Sequence, residues 1–158
     1  MISSLFSVLL HSYTFNMVTH TIIWVDTNAS DVSSTFRSKL GDAQFFTESN
    51  DCIDYIQSHP NISIYLIVSG HLAKSLVPKV YEYSNLIKIF IFCGSIIAHA
   101  EWAMDYCDKL MIFDHGDDLL ERLWNDLESQ FRAQAIQYLR CADKYKKRAL
   151  QYKQPACG

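Results

Sequence analysis

The side chains in this sequence whose types could do chemistry fall where apolar runs stop. They are Asp26, Ser69-Gly70-His71, Cys93-Gly94-Ser95 and Asp114-His115. Aspartyl phosphorylation needs clustered acids for magnesium, an aspartate nucleophile, a nearby hydroxyl and a lysine that neutralises phosphoryl oxygens. Asp26 supplies one acid, and Asp31, a helical turn further on, reads as a cap. The third apolar run ends in Ser69 rather than an aspartate, and the fifth ends in Phe113-Asp114 with no lysine. Cys93 precedes Gly94-Ser95 and a helix start, a setting that stabilises thiolate. A phosphatase-type loop would add an arginine six positions later, and that position is His99. His71 and His115 are the candidate bases for such a thiol. Ser69-Gly70 is a piece of a nucleophile elbow, but Ile67 and His71 stand where the motif needs glycine. The turn Asp26-Thr27-Asn28-Ala29-Ser30 lacks the spaced glycines of a dinucleotide loop.

The totals narrow the function classes. A chain of 158 residues with net charge -3 suits one domain plus an appendage, with no nucleic acid and no membrane as partner. Cys52, Cys93, Cys107, Cys141 and Cys157 form no close pair, which predicts a reducing, cytoplasmic setting, no zinc site and no cofactor. Met1 to Phe15 is apolar and Ser-rich. It has no basic residue before its apolar part and no small-x-small cleavage site. It reads as an unstructured leader over residues 1–19, and Met17 serves equally well as a start. Asn28-Ala29-Ser30 and Asn61-Ile62-Ser63 match glycosylation acceptors, a pattern that carries no meaning in the cytosol.

The elements that must position these residues alternate. Thr21 to Val25 is a continuous β-branched and apolar run, as a strand buried on both faces requires. Ser30 or Asp31 is expected to cap a helix carrying Val32, Phe36 and Leu40, closed by Gly41. Ala43 to Phe46 reads as a short edge strand. Ser49 or Asn50 caps a second helix through Ile53 and Ile56, stopped by Pro60. Ile62 to Val68 is the third strand, followed by a helical stretch from Leu72 to Ser84 that Pro78 starts or bends. Ile87 to Phe92 is the fourth strand; a helix with Ala98, Trp102 and Tyr106 follows, then a fifth strand from Leu110 to Phe113. Strands alternating with helices predict parallel pairing through right-handed crossovers. The fold class is therefore α/β: a doubly wound, five-stranded parallel sheet of the flavodoxin type, order 2-1-3-4-5. Loops at the carboxyl ends of its strands gather on one edge. The candidate cleft is Asp26, Ser69, Gly70, His71, Cys93, Gly94, Ser95, Asp114 and His115.

From Asp117 to Lys153 there is neither Gly nor Pro. Apolar residues recur every three or four positions, which predicts one long amphipathic helix or two end to end. Acids crowd its first part and bases its last, matching the helix dipole. Residues 20–130 form the α/β domain, and 131–158 a projecting helical extension that ends in a loop at Pro155 and Gly158. Tyr138, Leu139, Tyr145, Leu150 and Tyr152 give that extension more apolar surface than a linker needs, and mark it as an interaction helix.

Several stretches together resemble a known family. They are Thr21-Ile22-Ile23-Trp24-Val25-Asp26; Leu66-Ile67-Val68-Ser69-Gly70-His71-Leu72 with Val77-Pro78; Ile89-Phe90-Ile91-Phe92-Cys93-Gly94 with Glu101-Trp102-Ala103; and Phe113-Asp114-His115-Gly116-Asp117-Asp118-Leu119-Leu120. They are similar to the receiver-like leader domain of an expanded set of invertebrate proteins. In many of these the leader precedes an arginine-specific mono-ADP-ribosyltransferase domain, tetratricopeptide repeats, or both. The resemblance runs from about Thr21 to the chain end. It implies a regulatory or docking module that serves a protein partner or a downstream domain of the same chain. It implies no transferase activity here, because the sequence contains no Glu-x-Glu. The expected function is a receiver-like interaction module without the phosphoacceptor aspartate. The alternatives are a thiol-dependent small-molecule or phosphate enzyme using Cys93, and a homo-oligomer formed through the C-terminal helix.

Overall fold

The computed structural model describes residues 19–153. The expected leader, the terminal loop with Pro155 and Gly158, and Cys157 lie outside the described residues, apart from Thr19. The chain forms two compact units, Met1–His115 and Gly116–Gly158.

In the first unit, the strands β1 (His20–Val25), β2 (Gln44–Phe46), β3 (Ser63–Ser69), β4 (Leu86–Phe92) and β5 (Leu110–Phe113) form one sheet in the order β2-β1-β3-β4-β5. Every pairing is parallel. This is the flavodoxin-like arrangement that the alternation of runs predicts. The strands that form the middle are those richest in aliphatic and aromatic residues, with Lys88 the one charged side chain inside β4, because such runs bury both faces of the pleat. Ile23, Val25, Leu66, Val68, Ile89 and Ile91 point to one face and join Cys52, Ile56, Leu76, Val77 and Val80 in a continuous core. Alternate residues Ile22, Trp24, Ile67 and Phe90 are equally buried on the other face. There Phe36 meets the edge of Trp24 at 5.2 Å and stacks on Phe92 at 5.1 Å between ring centroids. Each fully buried aliphatic side chain contributes about 1.5–3 kcal/mol.

The connecting helices are α1 (Thr35–Lys39), α2 (Ser49–Ser58), α3 (Gly70–Val80) and α4 (Ile97–Ala103), the last followed by a 3₁₀ turn, Met104–Tyr106. The first departs most from expectation. Ser30 and Asp31 do not cap it. Asp31 instead accepts hydrogen bonds from Ser33 N (2.9 Å) and Ser33 Oγ (2.7 Å) and holds a turn, so the helix starts only after Ser34, whose Oγ accepts from Arg37 N. Val32 is left outside the helix and 83 % exposed. Gly41 closes the segment at φ +62, where a side chain would be strained. Helix α2 begins without a side-chain cap from Ser49 or Asn50; Glu48 is its N-cap residue. Helix α3 begins at Gly70, two residues before Leu72. It carries Pro78 in its last turn and ends by Tyr81, which shortens the segment expected to reach Ser84.

Asn85 ties α2 to the start of β4. Its buried Nδ2 donates to Ile56 O (2.9 Å) and His59 O (3.0 Å), carbonyls at the end of α2 that also accept from the backbone amides of His59 and Ile62. Replacing Asn85 with Ala removes both hydrogen bonds and leaves each carbonyl with one backbone donor. The expected loss is about 1–3 kcal/mol of unfolding free energy in urea titration, with the far-ultraviolet spectrum unchanged.

The second unit is α5 (Gly116–Lys153), a single helix of 38 residues. Leu119, Leu120, Leu123 and Leu127 are buried, and Leu139, Leu150 and Tyr152 are more than half exposed. Arg122 bonds Asp126 (3.0 Å) and Arg132 bonds Glu128, each pair one helical turn apart. No helix of the described residues is long and apolar enough to cross a membrane.

Candidate functional site

The register of the sheet builds the site. Val25 lies beside Val68, Ser69 beside Phe92, and Phe92 beside Phe113, so four strands stop within one or two residues of each other. Their following loops meet in a cleft of about 600 Å³, lined by Asp26, Asn28, Ser69, Gly70, His71, Phe92, Cys93, Gly94, His99 and Asp114. Seven of the nine residues expected in the cleft are therefore brought together. Ser95 and His115 are not in its lining, because the chain turns outward after Gly94 and after Asp114 and leaves both exposed. Asn28, Phe92 and His99 were not expected there. Asn28 enters through the turn that follows β1, and Phe92 because its ring is on the side of the sheet where Phe36 stacks. His99 enters by returning from the first turn of α4.

The carboxylate of Asp26 is held by the chain itself. Its Oδ1 accepts from Asn28 N at 2.8 Å, its own amide donates to Phe46 O (3.1 Å), and its carbonyl accepts from Ala29 N (2.9 Å). This is an Asx turn that terminates β1. Asp31 is exposed and faces Ser33, outside the lining; those hydrogen bonds hold its carboxyl below the usual carboxylate range. On the far side, Asp114 accepts from His115 Nδ1 at 2.8 Å, which likewise lowers its pKa. Asp114 thus stays ionised down to lower pH than a free aspartate, and the benefit of the pair fades as acid protonates it. Among the described residues no three His, Cys, Asp or Glu side chains group as a metal site.

The inner wall is built on close approach. Ser69 ends β3 and is the N-cap residue of α3, with extended backbone (φ -66, ψ 146). It is 5 % exposed, and its Oγ is buried without a hydrogen-bond partner. A Cβ on Gly70 would lie 2.7 Å from Cys93 Cβ and 2.8 Å from His99 Nε2. Gly70 is therefore the residue that lets β3, Cys93 and His99 converge. The His99 ring meets the edge of Trp102 at 5.9 Å, and its Nδ1 is also buried without a partner. Cys93 is half-buried; its amide donates to Phe113 O at 2.9 Å, fixing its place at the end of β4. The one fully buried thiol among the described cysteines, Cys52, belongs to the core, where burial pushes its pKa up to about 12.

The strand order puts Asp26 on one flank of Ser69, Gly70 and His71, and Cys93 and then Asp114 on the other. The lining thus mixes carboxylates, imidazoles and a thiol, which suits a small polar molecule. Comparison with known proteins adds no assignment: no family model, no curated protein and no solved structure matches the chain.

Two neighbouring substitutions are expected to act in opposite senses. Gly70→Ala forces Cys93 and His99 apart and costs about 1–3 kcal/mol. Ser69→Ala removes a buried hydroxyl that bonds nothing, so stability stays level or rises. Chemical denaturation of the two variants beside the parent chain reads both.

Proposed function

We propose that this chain is a receiver-like regulatory or protein-interaction module that binds at its strand-end cleft and carries out no phosphotransfer. The observation that carries the reading is Ser69. It occupies the end of β3, where a receiver domain holds its acceptor aspartate, and its hydroxyl is buried rather than presented. The end of β5 offers Phe113-Asp114 and no lysine. Asp26 is engaged by the backbone amide of Asn28. The family resemblance supports the same reading, with a protein partner or a downstream domain of the same chain receiving the signal. Four described cysteines are free thiols, which suits the proposed cytoplasmic setting.

Incubation with acetyl phosphate and magnesium, followed by intact-mass measurement, tests this directly. The expected spectrum is unchanged. A phosphoryl adduct mapped to any cleft residue would contradict the proposal.

A second reading is favoured by one feature of the wall, the convergence of Cys93 and His99 on Gly70. It makes the chain a thiol-dependent small-molecule or phosphate enzyme, with His99 as the base in place of His71 or His115. Brief exposure to iodoacetamide at neutral pH separates the two readings. Cys93 is expected to label no faster than free cysteine; labelling many times faster would favour the enzyme.

A further inference from the structure

The last part of helix α5 has a side that the buried leucines do not use. With about 3.6 residues per turn, Ile136, Leu139 and Leu150 fall on one side, bordered by Arg140, Lys144, Lys146 and Lys147. The three aliphatic side chains are 45 %, 65 % and 53 % accessible, and the four cations are exposed. Among the described residues none of these four cations is in an ion pair. Leu120, Leu123 and Leu127 are buried on the other side of the helix. Phe131, Tyr138 and Tyr145 continue that other side, and they already have partners.

The helix dipole does not account for these cations. It favours bases in the last turn, and all four lie before it. The net charge of -3 argues against an anionic partner, but it averages two segregated blocks. Residues 117–128 hold five acids against one base, Arg122, while residues 140–153 hold six Lys and Arg against one acid, Asp143. We infer that residues 136–150 of α5 lie on an anionic phospholipid surface. Ile136, Leu139 and Leu150 enter the boundary between headgroups and acyl chains, and the cations beside them meet the headgroups. Asp143 is the one acid on this side; Arg140 and Lys147 stand one turn before and after it and offset its charge.

The mixture of groups selects this occupant. Nucleic acid would take the cations alone. Its phosphates leave the aliphatic side chains in water, and this side has no aromatic ring for a base to stack on. A protein groove that wraps a helix needs every side, and the other side is already engaged. A bilayer surface takes one side only. Lys and Arg stems lie along it while their charged heads stay with the lipid phosphates. The acidic block of residues 117–128 is repelled by the same surface, which confines the contact to the end of the helix. The proposed cytoplasmic setting offers such a surface, because the leaflet facing it carries anionic lipid. The inference is independent of the cleft reading, and neither fails with the other.

Co-sedimentation of the full chain with vesicles tests it, comparing an equal mixture of phosphatidylcholine and phosphatidylserine with phosphatidylcholine alone. The expected result is binding to the mixed vesicles only, weakening as salt rises. Lys147→Glu, in the middle of this side, should weaken it by about tenfold or more. Lys79→Glu, the same reversal at the end of α3, should leave it intact. Leu150→Ser should weaken it by about threefold or more, because an aliphatic group leaves the boundary. Circular dichroism should show equal helix in all three variants. No binding to the mixed vesicles, equal binding to both kinds, or equal loss from Lys147→Glu and Lys79→Glu overturns the inference. So does a duplex RNA that binds as tightly as the mixed vesicles and is indifferent to Leu150→Ser, which would make the partner a nucleic acid.

Discussion

Everything in the first unit depends on three neighbouring strands being apolar on both faces. Most of β1, β3 and β4 is apolar on both sides, so each is flanked by strands and covered above and below. Parallel pairing answers that demand only if every crossover carries a helix, and the chain supplies one between each pair of strands. Once the strands lie in register, their carboxyl ends stop together. The cleft is a consequence of that register, and its chemistry is whatever residue types stand at those stops.

Under the proposed function, those types make the cleft a place to hold rather than to react. The acid on β1 is occupied by a backbone amide, and the acid after β5 by a neighbouring imidazole. The hydroxyl on β3 is buried without a hydrogen-bond partner. Among the described residues five buried side-chain polar atoms lack a hydrogen-bond partner, and two of them, Ser69 Oγ and His99 Nδ1, belong to residues that line the cleft. Each carries a desolvation cost.

The sheet was legible in the sequence because continuous β-branched runs have a single comfortable home. All five strands fall within two residues of their expected limits. The α1 segment was not legible. Val32, Phe36 and Leu40 have helical spacing, but Asp31 and Ser33 bond each other first and hold the chain in turns until Ser34. Local side-chain bonds to the backbone outcompeted the helix there. The cleft was legible as a set of strand ends, which is why Asp26, Ser69, Cys93 and Asp114 were found. His99 was passed over as a missing arginine, because its contact with Gly70 depends on how far the loop after Cys93 lets α4 fold back. Ser95 and His115 were included because they neighbour the strand ends, and sequence proximity does not reveal which way a loop turns.

The most direct measurement is a set of cross-strand nuclear Overhauser contacts at the strand ends. The account predicts amide contacts linking Val25 to Val68, Ser69 to Phe92 and Phe92 to Phe113, in the spacing of parallel pairs. Close α-proton to α-proton contacts between β3 and β4, the mark of antiparallel pairing, would contradict it. So would a register that moves Ser69 away from the row shared with Phe92 and Phe113.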